Sequence, residues 1–248
     1  MNDPTAPRSV PSSLAGVLAA LELDRPAVVT LAHLEKVTAT LASPTSLAPA
    51  TIAKRLRELG WLLPLRVRGA WEFAPADRAG AFTGGDLFIE VRALNAVRPD
   101  LTVGIGFESA AFLRSLASRQ PTREVVVLEP GAPVIRALDD FRRVDVHLPA
   151  HAYSGMGGLR VQTPAGILAA IAVRPTGYAD WPGLADWLPD AARTINGDCI
   201  VELLDGRGAG AWRRAAYLLK TGGRSDVAAQ LLEHTPAGQG SRSWARGC

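Results

Sequence analysis

Two cysteines in 248 residues, Cys199 inside an apolar run and Cys248 at the end, cannot build a disulfide framework, and neither belongs to a CxxC pair. That scarcity fits a reducing, cytoplasmic setting. No stretch approaches the roughly eighteen uninterrupted apolar residues of a membrane span, and MNDPTAPRSVPSS holds no apolar core of signal-peptide length. A chain that is neither exported nor membrane-inserted is expected. Lysine is also scarce, three residues against 24 arginines, which together with plentiful Ala, Gly and Pro reads as the imprint of a GC-rich genome. The net charge is only +3, too little to mark a nucleic-acid binder, so local clustering has to carry any such argument.

What is present is ample apolar material, 48% of the residues, and a length that suits two domains. Ser12 or Ser13 is placed to cap a helix over LAGVLAALEL, which should stop before Arg25-Pro26 because the residue ahead of a proline is pushed out of the helical region. AVV (27–29) reads as a short strand. Thr30 then caps a second helix on which Leu31, Leu34, Val37, Thr38 and Leu41 share one face. After a loop, SPTS, a third helix runs from about Pro49 to Leu59, with Gly60 suited to end it. WLLPLRV and AWEFAP follow as strand-like runs that turn at Arg68-Gly69. This order over residues 10–78 predicts a winged helix-turn-helix.

On the third helix Ile52, Leu56 and Leu59 form one apolar stripe with Ala53 beside it, while Thr51, Lys54, Arg55 and Glu58 face the other way. Residues 51–68 hold five cations, Lys54, Arg55, Arg57, Arg66 and Arg68, against the single carboxylate of Glu58. A helix of this kind fits the major groove of DNA. Thr51, Lys54 and Arg55 are placed to meet base edges, and Arg66 and Arg68 to meet phosphates. The bland alternatives are a solvated charged face or a wing that docks onto another protein.

DRAGAFTGG (77–85) reads as a linker into a second, α+β domain over 86–235, with a helix in DLFIEVRALNAVRP, a strand in LTVGIGF, a helix capped by Ser109 and a strand in REVVVLEP. Strand, GIGFES, helix, strand and Glu129 outline a nucleotide-binding unit, so a Rossmann-like enzyme of methyltransferase type with an accessory winged helix is the competing reading. The third glycine of the fingerprint is missing, however, and a lone GxG is common turn chemistry. His147 and His151 flank Pro149 and are not expected to share a helical face or a metal. AYSGMGGLRVQTPAGI lacks the GxSxG elbow and reads as a flexible loop. Helices are expected in WPGLADWLPDAARTI and AWRRAAYLLKTGG, with Trp181, Trp187 and Trp212 in the core. Residues 236–248 lack periodicity and read as a disordered tail. No catalytic residue, metal or cofactor is assigned.

IAKRLRELGWLLPLRVRGAWEFAPADRAG resembles the AbiEi family of antitoxins, in which a recognition helix runs into a Gly-Trp-Leu wing. The similarity extends more loosely through ESAAFLRSLA, EVVVLEPG, RPTGYADWPGLADWLP and AWRRAAYLLKTGG, about residues 25–225. The resemblance implies a repressor that binds its own promoter and an α+β C-terminal domain linked to antitoxicity. It also implies a nucleotidyltransferase-like toxin as partner. DNA contacts would then fall on Thr51, Lys54, Arg55, Arg57, Arg66 and Arg68.

Overall fold

The computed structural model describes residues 10–41, 46–77 and 85–236. The expected N-terminal lead-in, most of the SPTS loop, most of the linker and nearly all of the tail therefore lie outside the described residues. Contacts divide the chain into two compact units, Met1–Thr102 with Val134–Asp139, and Val103–Pro133 with Asp140–Cys248.

The first unit follows the expected order. It contains α1 (Ser12–Asp24), β1 (Val28–Thr30), α2 (Leu31–Thr40), α3 (Pro49–Glu58), β2 (Leu62–Pro64), β3 (Ala70–Phe73) and α4 (Ile89–Val97). Helix α1 begins at Ser12 behind Pro11 with no side-chain cap, so both serines lie in its first turn instead of ahead of it. It ends where Arg25, at φ +43°, turns its amide onto the Leu21 carbonyl. Thr30 does cap α2, its hydroxyl accepting from the His33 amide at 3.1 Å. The apolar face of α2 is narrower than expected, because Leu34 and Val37 are buried while Leu31 is 40% exposed. Strand β3 lies at the centre of an antiparallel sheet, order β1-β3-β2. Leu14, Leu21, Leu34, Ile52, Leu56 and Phe73 fill the core beneath it, each worth ~1.5–3 kcal/mol of transfer free energy when fully buried.

Helix α4 packs on β1 and β3. The contact boundary therefore falls at Thr102, later than the division expected at residue 86, because the Val91, Ala93 and Leu94 stripe of α4 is buried within the first unit.

The second unit holds a five-stranded sheet of β4 (Gly104–Ile105), β5 (Val125–Leu128), β6 (Arg142–Asp145), β7 (Tyr153–Met156) and β8 (Leu159–Gln162), in the order β6-β5-β4-β8-β7. Its helices are α5 (Phe107–Leu113), α6 (Pro164–Val173), α7 (Trp181–Thr194), α8 (Gly197–Leu204), α9 (Ala209–Thr221) and α10 (Ser225–Glu233). Residues Ala165 to Ala172 of α6 are all buried, and α5, α7, α8 and α9 pack around that helix.

Three expectations are corrected here. The run 152–167 is not a flexible loop. Gly157 and Gly158, at φ +54° and +77°, turn β7 into β8, and Thr163 then caps α6 through the Gly166 amide. Both central turn residues have the positive φ that matches a two-residue hairpin to strand twist. Ser109 is not a cap either; it lies within α5, fully buried, its hydroxyl accepting from the Val125 amide and donating to Glu124 Oε2. Of the three tryptophans, Trp187 and Trp212 are buried, but Trp181 is 46% exposed at the first turn of α7.

Candidate nucleic-acid interface

Helix α3 is built to present one polar face. Pro49 opens it, and Ile52, Ala53 and Leu56 turn inward. Thr51, Lys54, Arg55, Arg57 and Glu58 are exposed. Arg55 and Arg57 lie in the last turn, where cations complement the helix dipole. Gly60, at φ +76°, ends the helix in a double-bonded C-terminal turn. Its amide donates to the Arg57 carbonyl at 3.0 Å and the Trp61 amide to the Leu56 carbonyl at 2.8 Å. That turn directs the chain into β2 beside the helix.

The hairpin differs in detail from the expected two-residue turn at Arg68-Gly69. Pro64 pairs with Trp71 as the last rung, so residues 65–69 form a five-residue loop. Arg66, expected on a strand, is in this loop. Val67 points inward at 6% exposure while Arg66 and Arg68 are exposed, and Gly69 at φ +84° leads the chain back into β3. The Arg66 amide donates to Glu90 Oε1 of α4 at 2.8 Å.

Between α3 and this loop runs a groove of about 410 Å³. Lys54, Arg57 and Arg68 line it together with Leu31, Pro64 and Trp71. Three of the six expected contact residues thus share one concave wall. Thr51 and Arg55 lie on the same exposed helix face but outside the groove wall, and Arg66 is on the loop beyond it. Sequence reasoning missed Leu31 and Trp71 as parts of this wall; the half-exposed end of the α2 stripe was the available signal. Glu58, the single carboxylate expected on the exposed helix face, sits 3.9 Å from Lys54 as an exposed i,i+4 pair.

The second unit does not form the nucleotide-binding unit outlined by GIGFES. Strands β4 and β5 pair antiparallel, whereas a mononucleotide-binding crossover needs them parallel. The glycines serve packing. A Cβ on Gly106 would lie 2.3 Å from Val127 Cγ2, and one on Gly104 would lie 2.6 Å from the Tyr153 ring. The amide at the head of α5 that would greet a phosphate, that of Phe107, already donates to Gln162 Oε1 at 2.9 Å.

Other titratable groups in this unit are taken up locally. Glu108, buried at 6% exposure, accepts from Arg142 and from the amides of Ala179 and Asp180. His147 Nδ1 meets Glu129 at 2.6 Å, and His151 lies 3.8 Å from Glu202 on α8. Among the described residues no group of three or more His, Cys, Asp and Glu could hold a metal. Burial pushes the Tyr178 hydroxyl well above its ordinary range, and burial followed by the nearby Glu202 raises the Cys199 thiol, so neither is primed as a nucleophile. No helix of the described residues is long and apolar enough to cross a membrane.

A basic helix-and-hairpin unit joined to an α+β unit with a mixed sheet defines the class. Residues 102–221 match the family model described as AbiEi antitoxin C-terminal domain, and the second unit belongs to that antitoxin domain family. Among solved structures, the crystal structure of the RV2827C protein from Mycobacterium tuberculosis is similar, with 26% sequence identity and a TM-score of 0.70. That match covers 93% of this chain and 84% of the mycobacterial one. No curated protein matches the chain.

Proposed function

We propose that the protein is a non-enzymatic, DNA-binding transcriptional repressor that autoregulates its own operon as the antitoxin of a toxin-antitoxin system. The first unit acts as a winged helix-turn-helix, with α3 in the major groove and the loop 65–69 as its wing. One observation carries this reading: Lys54, Arg57 and Arg68 converge from helix and loop on a single groove. Arg66 and Arg68 hold phosphates, whereas Thr51, Lys54 and Arg55 face base edges, with Arg57 between the two sets. The antitoxin domain family of the second unit supports a toxin partner, for which the resemblance suggests a nucleotidyltransferase-like protein. The binding partner in the cell is then double-stranded operator DNA in the cytoplasm.

Fluorescence-anisotropy titration against the protein's own upstream DNA and a scrambled duplex, at two salt concentrations, tests the proposal. Tighter binding to the upstream DNA that weakens steeply with salt is expected, since each neutralised phosphate releases counterions. Alanine at Arg66 or Arg68 should weaken both duplexes alike, and alanine at Lys54 or Arg55 should also narrow the gap between them. Equal binding to both duplexes, insensitive to all four substitutions, would refute it.

A further inference from the structure

Resting on that reading, we infer that Glu90 is a positioning residue for DNA binding: its carboxylate tethers the wing so that Arg66 and Arg68 are presented together. Three observations carry the inference. First, the loop 65–69 lies beyond the strand ladder, with Val67 packed inward between the two arginines. Strand β2 ends at Pro64, which has no amide to donate, and the Ala70 amide reaches the Val67 carbonyl only at 3.4 Å. Second, the Arg66 amide donates to Glu90 Oε1 at 2.8 Å, across 24 residues of sequence and from a different element. A charge-assisted bond of this length fixes the backbone at the very residue that carries one of the two wing guanidiniums. Third, the Glu90 carboxylate sits at a helix start and is partly desolvated. It lies in the first turn of α4, where a carboxylate is favoured by the helix dipole, and its Oε2 is buried with no hydrogen-bond partner among the described residues.

A carboxylate bonded to the wing backbone, close to where phosphates would sit, is an odd place for a negative charge if the charge is what matters. The acceptor is what matters. Glu90→Gln keeps an oxygen for the Arg66 amide while removing a charge that repels phosphate, whereas Glu90→Ala removes the tether.

The experiment is anisotropy with the upstream duplex over a salt series, for Glu90→Ala, Glu90→Gln, the pair Arg66→Ala/Arg68→Ala, each Glu90 variant combined with that pair, and Arg55→Ala alone and combined with Glu90→Ala or with the pair. Glu90→Ala should weaken binding about tenfold, the weight of one lost charge-assisted bond, and make the log–log salt slope shallower by roughly 2, as for two lost phosphate contacts. The losses from Glu90→Ala and from the arginine pair should not add, since both remove the same contacts, whereas the loss from Arg55→Ala should add to either. Glu90→Gln should restore binding to the wild-type level or above.

If the arginine pair itself has no effect, the wing reading fails. If the pair has its effect but Glu90→Ala is silent or fully additive with it, the tether fails and the wing reading stands. Binding by Glu90→Gln as weak as that of Glu90→Ala also overturns the tether. Should Glu90→Ala not fold, hydrogen exchange on the wild-type protein decides. The Arg66 amide should be protected relative to that of Arg68, and equal exchange would reject the inference.

Discussion

Glu58 is the one carboxylate on the exposed face of α3, and its removal should strengthen DNA binding while slightly weakening the fold. Its Oε1 lies 3.9 Å from Lys54 Nζ, with the two side chains 61% and 75% exposed. In water a unit pair at that distance attracts by about 1 kcal/mol, and double-mutant measurements put such i,i+4 pairs at ~0.3–0.5 kcal/mol of stability. Glu58→Gln should therefore cost the fold no more than ~0.5 kcal/mol in a denaturant titration. The same change frees Lys54 from a competitor for phosphate or base and removes a repulsive charge from the surface proposed to face the duplex. About 1 kcal/mol corresponds to roughly a fivefold tighter dissociation constant, read by anisotropy against upstream DNA near 0.1 M salt, and the gain should shrink as salt rises. A clear loss of affinity would refute the reasoning. It would mean that Glu58 is itself a reader, for instance accepting from a cytosine amino group in the major groove, or that α3 does not face the DNA.

Gly106→Ala should destabilise the second unit by about 1–3 kcal/mol in denaturant, the usual penalty for overpacking, because its Cβ would fall 2.3 Å from Val127 Cγ2 and 2.8 Å from Gln162 Oε1. Gly155→Ala is the control and should be near neutral, with nothing within 4 Å of the added atom; equal stability of the two variants would contradict the packing role assigned to Gly106. Asp226, in the first turn of α10, is held at a pKa of about 2 by the Arg224 guanidinium and then by the Val227 amide. A depressed carboxyl stabilises the native state above its unfolded value near 3.8 and loses that contribution as pH falls towards 2. Hydrogen-exchange protection in α10, taken relative to the intrinsic rates at each pH, should therefore fall across that window in the wild type, and Asp226→Asn should abolish the step.

Much of the first unit could be read from its sequence because its signals are local. Thr30 caps α2, Pro49 opens α3 and Gly60 closes it, each through bonds spanning a few residues. The polar face of α3 follows from a 3.6-residue period alone, so the exposure of Thr51, Lys54, Arg55 and Glu58 was legible in advance. The groove was not, because it depends on where a loop lands. Pro64 ends the ladder three residues earlier than the apolar run suggests, and this puts Arg68 opposite Lys54 and Arg57 and moves Arg66 off the strand. The Glu90 contact was out of reach for the same reason, since a bond between residues 66 and 90 leaves no periodic trace.

In the second unit, local texture pointed the wrong way. A strand, a GxG turn, a helix and a strand have the same one-dimensional signature whether the second strand runs parallel or antiparallel to the first, and only the register of Gly104 with Val127 and Ile105 with Val126 separates them. The direction follows from chain length. A parallel return needs the helix to travel back along the whole sheet, whereas α5 ends at Leu113 after seven residues and eleven more pass before β5. With β4 only two residues long and flanked by β5 and β8, the tight turn at Gly106 is enclosed by Val127 and Gln162. Close approach of side chains and close approach of a pyrophosphate both demand glycine, so glycine alone could not decide between them. The occupied amide of Phe107 and the methyl of Val127 decide it for packing.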